Sequence, residues 1–397
     1  MFKEAVLLIK EAVSKKDFSF LMFTLSLFLL SISINLSTFT FIASLVLKLI
    51  QTGLKKQPLF ETKALKNAAI IGFIFFSYIV INSIIQTNYS ITFHYFEKYY
   101  MHFALFFLTP ILLKRKKENA LLLLSFIIGS FTAITIVFIY SIVNEAHFGK
   151  QAFIDVLDIH HTYLSMYLLV FINCFMVLMF TKEKKLNNVV KLTLIVLCII
   201  SVAIFYILGS KVSMLILLLL FLLHSLPELS KKNTPMYIGL LSIILIILLS
   251  FNNKLSVSYE KALDFRIQVW EMSFNSFESN PIFGDLSLSE KDILNFNHYL
   301  NGKYYFIDSD LNSHNQYLST LMRFGVVGLF ILFLFVINIF RKTSKKTSKR
   351  TVREVLGFLV ISLTVCYIEN ILDRHHGIVF ITFFYNYYLV AIENNDE

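Results

Sequence analysis

The chain has 397 residues, 56% of them hydrophobic and only 16% charged, with 36 Lys and Arg against 26 Asp and Glu for a net charge of +10. So few charges cannot cover the surface of a soluble protein of this length, and long apolar blocks recur throughout, which places the chain among polytopic membrane proteins. Strict alternation of apolar and polar residues is absent, which excludes an outer-membrane barrel, and the basic excess is dispersed over separate loops, which marks topology rather than nucleic-acid binding.

A bilayer core requires about 20 apolar residues per helix, somewhat fewer where a span is short. By that measure the sequence predicts an all-α integral membrane protein with about twelve transmembrane helices: 18–34, 37–52, 67–86, 93–113, 119–143, 161–180, 189–208, 211–227, 235–251, 314–340, 354–372 and 376–392. Tight turns join the first pair and the seventh and eighth, so eleven is the alternative count. The apolar run after Lys16 has no small-residue cleavage site and reads as a first helix rather than a secretory signal.

Lys and Arg cluster in every second loop. Lys3, Lys10, Lys15 and Lys16 come first, then Lys55-Lys56 with Lys63 and Lys66, KRKK at 114–117, TKEKK at 181–185, Lys231-Lys232 and RKTSKKTSKR at 341–350. The positive-inside rule then puts both termini and these loops in the cytoplasm. Cys174, Cys198 and Cys366 each lie within an apolar run and read as packing residues, with no disulfide or metal site implied.

The remaining loops face outward. One is long, 252–313, and its balance is acidic. Within it, Ala262, Phe265, Val269, Met272 and Phe277 recur at near-helical spacing, which predicts an amphipathic helix over 261–280 ended by Asn280-Pro281 and lying at the outer interface. No internal repeat or low-complexity linker divides the chain, so 1–397 reads as a single membrane domain.

Polar residues collect at the outer ends of several spans. His160-His161 opens the sixth, Ser210-Lys211 lies in the turn between the seventh and eighth, His314-Asn315 opens the tenth, and Asp373-Arg374-His375-His376 separates the last two; Arg266 is on the loop helix. Outer-face cations run against the positive-inside bias, and each is either an interfacial residue reaching for water or a functional one. Arg offers a fork that matches phosphate oxygens and Lys a point charge, so a cationic pocket here suits a lipid diphosphate. A nearby histidine can accept a proton at neutral pH.

These residues carry a family resemblance. His314-Asn315, nine residues, then Gly325-Val-Val-Gly328 is similar to the HN-x9-G-x-x-G pattern of the O-antigen ligase and polymerase superfamily of bacterial envelope glycosyltransferases. Arg266 followed by Trp270 resembles its R-x3-W/L pattern, NPIFGDL at 280–286 its N-P-x-x-G turn, GSKVSML at 209–215 its S-R turn with Lys211 in place of the arginine, and ENILDRHHGIVF at 369–380 its closing helix pair. The resemblance implies a metal-independent glycosyltransferase, without a cofactor, in the bacterial inner membrane. Its donor would be an undecaprenyl-diphosphate-linked glycan and its acceptor lipid A-core or another glycan. By the same resemblance His314 would be the catalytic base, Arg266 and Lys211 would hold the diphosphate, and Asn315, Arg323, Arg374 and Glu369 would support them.

Lys in place of Arg removes bidentate geometry at position 211. Arg323, where the family often carries a carboxylate, is expected about 13 Å along the helix from His314, facing a polar cavity or an acid such as Glu369. A repeat-unit polymerase shares this donor and site and is the alternative reading. A polyprenyl-linked sugar transporter is the rival of another class, although its site would lie near the bilayer midplane between repeats. Adjacent histidines rarely ligate one ion, so no zinc site is inferred from His160, His161, His314, His375 and His376.

Overall fold

The computed structural model describes residues 2–14, 16–55, 58–86, 96, 98, 100–114, 116–181, 187–228, 256–307, 311–343 and 347–393. Over these residues the fold is all-helical: α1 (Phe2–Ser14), α2 (Phe18–Leu29), α3 (Ile34–Lys55), α4 (Lys63–Gln86), α5 (Leu105–Leu112), α6 (Lys116–Val143), α7 (Lys150–Leu157), α8 (His161–Thr181), α9 (Asn188–Ile207), α10 (Lys211–Ser225), α11 (Ser256–Ser279), α12 (Glu290–Leu300), α13 (Gln316–Lys342), α14 (Lys349–Ile368) and α15 (His375–Glu393).

Seven helical stretches among the described residues are long and apolar enough to cross a membrane: 34–54, 63–86, 118–143, 161–181, 188–207, 316–342 and 349–368. Three shorter apolar helices, Phe18–Leu29, Met101–Leu112 and Lys211–Ser225, fall at three further expected spans. The predicted ninth span at 235–251, much of 93–99, and loop positions 252–255 and 308–310 lie outside the described residues.

The first hairpin turns earlier than its apolar run suggests. The Ile32 and Ser33 amides close back onto the Leu29 carbonyl, and α3 starts at Ile34. Serines then stitch α2 to α3: Ser26 Oγ donates to the Ser37 carbonyl at 2.8 Å, Ser37 Oγ returns a bond to the Ser26 carbonyl at 3.0 Å, and Ser19 Oγ reaches the Ser44 carbonyl at 2.8 Å. Where lipid replaces water, helices associate through packing and such hydrogen bonds rather than water exclusion.

The centre of the bundle is α15. It packs against α3, α4, α5, α6, α13 and α14, and nearly every side chain from His376 to Ile392 is buried. Its rings fill the middle of the bundle: Phe384 lies 4.9 Å from Phe380, 4.8 Å from Phe383 and 5.1 Å from Phe126, and Tyr388 lies 5.3 Å from Phe358. A helix that is apolar on every face is one that is surrounded by others.

The long loop folds as a lobe on α13. The predicted amphipathic helix is present as α11 and ends at Ser279, before Asn280-Pro281. Its apolar face is turned inward: Val269 and Met272 are buried with Leu294 of α12, Phe306 and Met322 of α13. α12, which the spacing analysis did not pick out, supplies a partner for that face. Ser289 caps α12 by accepting from the Asp292 amide.

The lobe also breaks α13. Gly325 has φ 61° and ψ −168°, so the helix bends sharply there. The NPIFG turn enters the break. The Val326 amide donates to the Pro281 carbonyl at 2.9 Å, the Val327 amide to the Ile282 carbonyl at 3.3 Å, and the Met322 carbonyl accepts from the Asp285 amide at 2.7 Å. The turn thus replaces the intrahelical partners lost at the kink. From the other side, α4 secures the turn: Asn82 Nδ2 and Gln86 Nε2 donate to the carbonyls of Phe283 (2.7 Å) and Gly284 (2.8 Å), while Tyr78 Oη donates to that of Phe324 (2.7 Å).

Candidate functional site

The kink and the lobe position the start of α13, where His314 sits. Asn315 is the N-cap: its side-chain oxygen accepts from the amides of Tyr317 at 3.0 Å and Leu318 at 3.1 Å, which is the ordinary way of satisfying orphan helix donors. His314, just outside the helix, has φ 46°. That left-handed conformation is costly for a side chain with a Cβ and persists only where its surroundings enforce it.

The imidazole is partly exposed, and its Nδ1 lies 3.3 Å from Glu369 Oε1. Glu369 is the residue that ends α14. Burial by itself would raise its carboxyl; the hydrogen bond and charge of His314, the charge of His160 and the Asn370 amide outweigh this and hold it below its ordinary range. An ionised Glu369 can only accept, so it selects the tautomer with the proton on Nδ1 and leaves Nε2 able to take a proton.

Beneath this pair is a buried polar network. Glu290 of α12, 5% exposed, accepts from the Ser313 amide at 2.8 Å and from Asn370 Nδ2 at 2.8 and 2.9 Å, and its other oxygen accepts from Ser319 Oγ. Asn370 Oδ1 in turn accepts from the Asn315 amide at 2.8 Å and Ser313 Oγ at 3.1 Å. Trp270 of α11 donates its indole N–H to the Ser313 carbonyl at 3.0 Å, and its ring meets Tyr367 edge-on at 5.4 Å. The residues on both sides of His314 are therefore held from α11, α12 and the segment after α14.

Arg323 belongs to the same network. It is 4% exposed and pairs with Asp373, its Nη2 lying 2.5 Å from Oδ1; Nη2 also donates to Ser319 Oγ at 2.7 Å, and Nε lies 3.8 Å from Glu290 Oε2. The acid suggested for it from sequence, Glu369, is engaged by His314 instead. The reason is positional: Glu369 caps α14 beside His314, whereas Asp373 closes the short 3₁₀ turn Ile371–Asp373, where it meets Arg323. A buried guanidinium with two carboxylates satisfies the requirement that such a charge be paired.

The other expected cations lie more openly. Arg266 is half-buried on α11, one turn before Trp270 and on the same face. Lys211 is the first residue of α10 and is exposed, not enclosed in its turn; Gly209, with φ 63°, makes that turn, and Ser210 Oγ meets Ser213 Oγ at 2.6 Å. A lysine opposes the dipole of a helix it begins. Arg374 is exposed at the head of α15. Burial holds the His160 imidazole below its ordinary range; Glu369 opposes this, while Lys150, Arg374 and His314 reinforce it. His160, Lys150 and Arg374 thus share an electrostatic corner with the His314–Glu369 pair.

Between α13, α14 and α15 lies an apolar cleft of about 100 Å³. Gln316, Tyr317, Leu363, Cys366, Leu372 and Tyr385 line it together with Phe333, Phe335 and Phe358.

Several members of the site escape a reading of motifs. Glu290 and Ser319 lie in none of the motifs, Asn370 and Asp373 lie within ENILDRHHGIVF without an assigned partner, and only the folding of the lobe against α13 brings the four together. The tryptophan in R-x3-W and the N-P-x-x-G turn were visible as motifs, but their task of fixing the backbone around His314 was not.

Residues 161–333 match the protein-family model described as O-antigen ligase. This stretch is O-antigen ligase-like, and it contains Lys211, Arg266, His314 and Arg323; Glu369, Asn370, Asp373 and Arg374 lie beyond it. No curated protein matches the chain.

Proposed function

We propose that this protein transfers a glycan from undecaprenyl diphosphate to an acceptor hydroxyl at the outer face of the bacterial inner membrane, as an O-antigen ligase does. The observation that carries the reading is His314 at the head of α13, inside O-antigen ligase-like sequence, with Glu369 3.3 Å from its Nδ1 and an apolar cleft lined from Gln316 and Tyr317 onward. An acceptor hydroxyl oxygen attacks the anomeric carbon of the donor. Its proton passes to His314 Nε2, the bond from that carbon to the diphosphate oxygen breaks, and the electron pair leaves with undecaprenyl diphosphate.

Glu369 orients the imidazole and stabilises the imidazolium that forms. General-base assistance of this kind is worth about 10²–10⁴-fold. Arg266 and Lys211 balance the charge growing on the leaving diphosphate, and the cleft receives apolar parts of the lipid. The donor arrives already activated, so the proposed reaction needs neither nucleotide nor metal. In this reading both termini are cytoplasmic, 252–313 is periplasmic, and the acceptor is lipid A-core or another outer-face glycan.

Deletion of the protein, followed by mass analysis of surface glycans and lipid-linked intermediates, tests this. Long lipid-linked chains that are no longer attached to acceptor support the ligase reading. Accumulation of single lipid-linked repeats replaces it with the polymerase, retention of lipid-linked glycan on the cytoplasmic face replaces it with a transporter, and an unchanged profile refutes all three.

A further inference from the structure

The catalytic reading places chemistry on His314 and Glu369, yet neither side chain determines its own position. His314 has φ 46°, a conformation its own side chain does not favour. Glu369 is the last residue before the chain leaves α14 for the short 3₁₀ turn. The residues next to both converge on one carboxylate. Glu290 accepts the Ser313 amide, immediately before His314, at 2.8 Å, and it accepts Asn370 Nδ2, immediately after Glu369, at 2.8 and 2.9 Å. Asn370 closes the circuit by accepting the Asn315 amide at 2.8 Å.

Glu290 cannot itself meet a substrate. It is 5% exposed, and its two oxygens are occupied by Ser313, Asn370, Ser319 and the flank of Arg323, 3.8 Å away. It belongs to α12, which is part of the outer lobe and not of the membrane bundle. Its carboxylate therefore joins the lobe to α13 and to the end of α14 at a single buried point.

We propose that Glu290 is a positioning residue: its buried carboxylate clamps the backbone on either side of the His314–Glu369 pair and so sets the distance and angle between imidazole and carboxylate. This rests on the assignment of His314 as the base. Displacing a reacting group by about 1 Å costs on the order of 10²-fold in rate. Glu290→Gln keeps the shape but turns one acceptor into an N–H donor facing Asn370 Nδ2, Ser319 and Arg323. The double variant Glu290→Gln/Asn370→Asp exchanges amide and carboxylate. It restores one donor–acceptor contact between the two, keeps the acceptors for the Ser313 and Asn315 amides and leaves the net charge unchanged, at the expense of the Asn370 Nδ2 bond to Asp373 Oδ2 (3.2 Å).

The test uses full-length protein purified in lipid nanodiscs, with wild type and His314→Gln alongside. Transfer of glycan from undecaprenyl diphosphate is followed across pH, and the rate at which diethyl pyrocarbonate modifies His314 is read by mass spectrometry, a measurement that does not depend on the reaction. For Glu290→Gln we expect turnover lowered about 10²-fold, donor KM within about 3-fold, a shifted acid limb of the pH profile, and a modification rate changed at least about 3-fold. The exchanged pair should recover at least about 10-fold of the lost turnover. Wild-type turnover, pH profile and modification rate in Glu290→Gln overturn the clamp while leaving the base assignment intact; a wild type with no transfer activity overturns the functional reading instead, and the modification rates then decide the clamp alone. If Glu290→Gln does not accumulate, the exchanged pair carries the test: turnover within about 10-fold of wild type supports the clamp. Turnover below that, or failure of both variants to accumulate, makes the pair a folding element and overturns it.

Discussion

Gly325→Ala isolates what holds the lobe on the bundle. Gly325 has φ 61° and ψ −168°, a region that essentially only glycine occupies, so any side chain there costs about 1–3 kcal/mol in backbone strain. An added Cβ would also lie 2.2 Å from the Ile282 carbonyl oxygen, 2.4 Å from its carbon and 2.7 Å from the Gly284 nitrogen. All three are backbone atoms of the NPIFG turn and cannot swing aside, so relief means moving the turn off α13, at a further cost of about 1–3 kcal/mol typical of overpacking. Gly209 is the control: its φ is 63°, but nothing lies within 4 Å of an added Cβ, so Gly209→Ala should cost only about 1–2 kcal/mol. Gly284→Ala meets the Arg323 carbonyl carbon at 2.4 Å and should behave like Gly325→Ala. We expect apparent melting temperatures in detergent to fall much further for Gly325→Ala and Gly284→Ala than for Gly209→Ala, with transfer activity lost in the first two. An equal fall in all three would refute the docking of the turn as the source of the effect.

His314→Gln should lower turnover by about 10²-fold or more with protein level and donor binding little changed; near-wild-type turnover would reduce His314 to a helix-end residue. Arg266→Ala and Lys211→Ala should weaken use of the lipid diphosphate in a purified assay, with Lys211→Arg tolerated, and normal donor binding in both alanine variants would remove the diphosphate assignment. Trp270→Phe keeps a ring against Tyr367 but loses the bond to the Ser313 carbonyl, so we expect about 1 kcal/mol lower stability and several-fold lower turnover, measured by thermal unfolding and transfer assay; no change in either would separate α11 from the site. Glu369 has its carboxyl depressed in the folded state from an ordinary 4.5. Its contribution to stability is therefore complete above about pH 4.5 and is lost as pH falls through the lower folded value. The melting-temperature gap between wild type and Glu369→Gln should persist at pH 5 and narrow only as pH falls further; a gap already lost at pH 5 would contradict a carboxylate held ionised beside His314.

Much of this protein can be read without its structure, because a bilayer imposes a one-dimensional code. Apolar runs such as 119–143, 161–180 and 189–208 must be helices of nearly those limits, since lipid leaves no other way to satisfy the backbone. The structure moves their ends by only a few residues. His314-Asn315 before an apolar run announces the start of a helix, and Asn280-Pro281 announces the end of another, because proline acts through local geometry. Residues whose role depends on distant neighbours were not legible. α12 looked like acidic loop because its buried face is completed by α11 and Met322. Gly325 stood out only as part of the HN-x9-G-x-x-G pattern, and only the NPIFG turn, some forty residues earlier, makes it a break filled by another segment's carbonyls and one amide. Arg323 announced that an acid must accompany it but not which one; the choice of Asp373 and Glu290 over Glu369 was made by the 3₁₀ turn after α14 and by the docking of the lobe. Hydrophobic period and capping chemistry are local and survive in one dimension, whereas charge pairing and the left-handed backbone of His314 are settled by whichever groups the fold brings within about 3 Å.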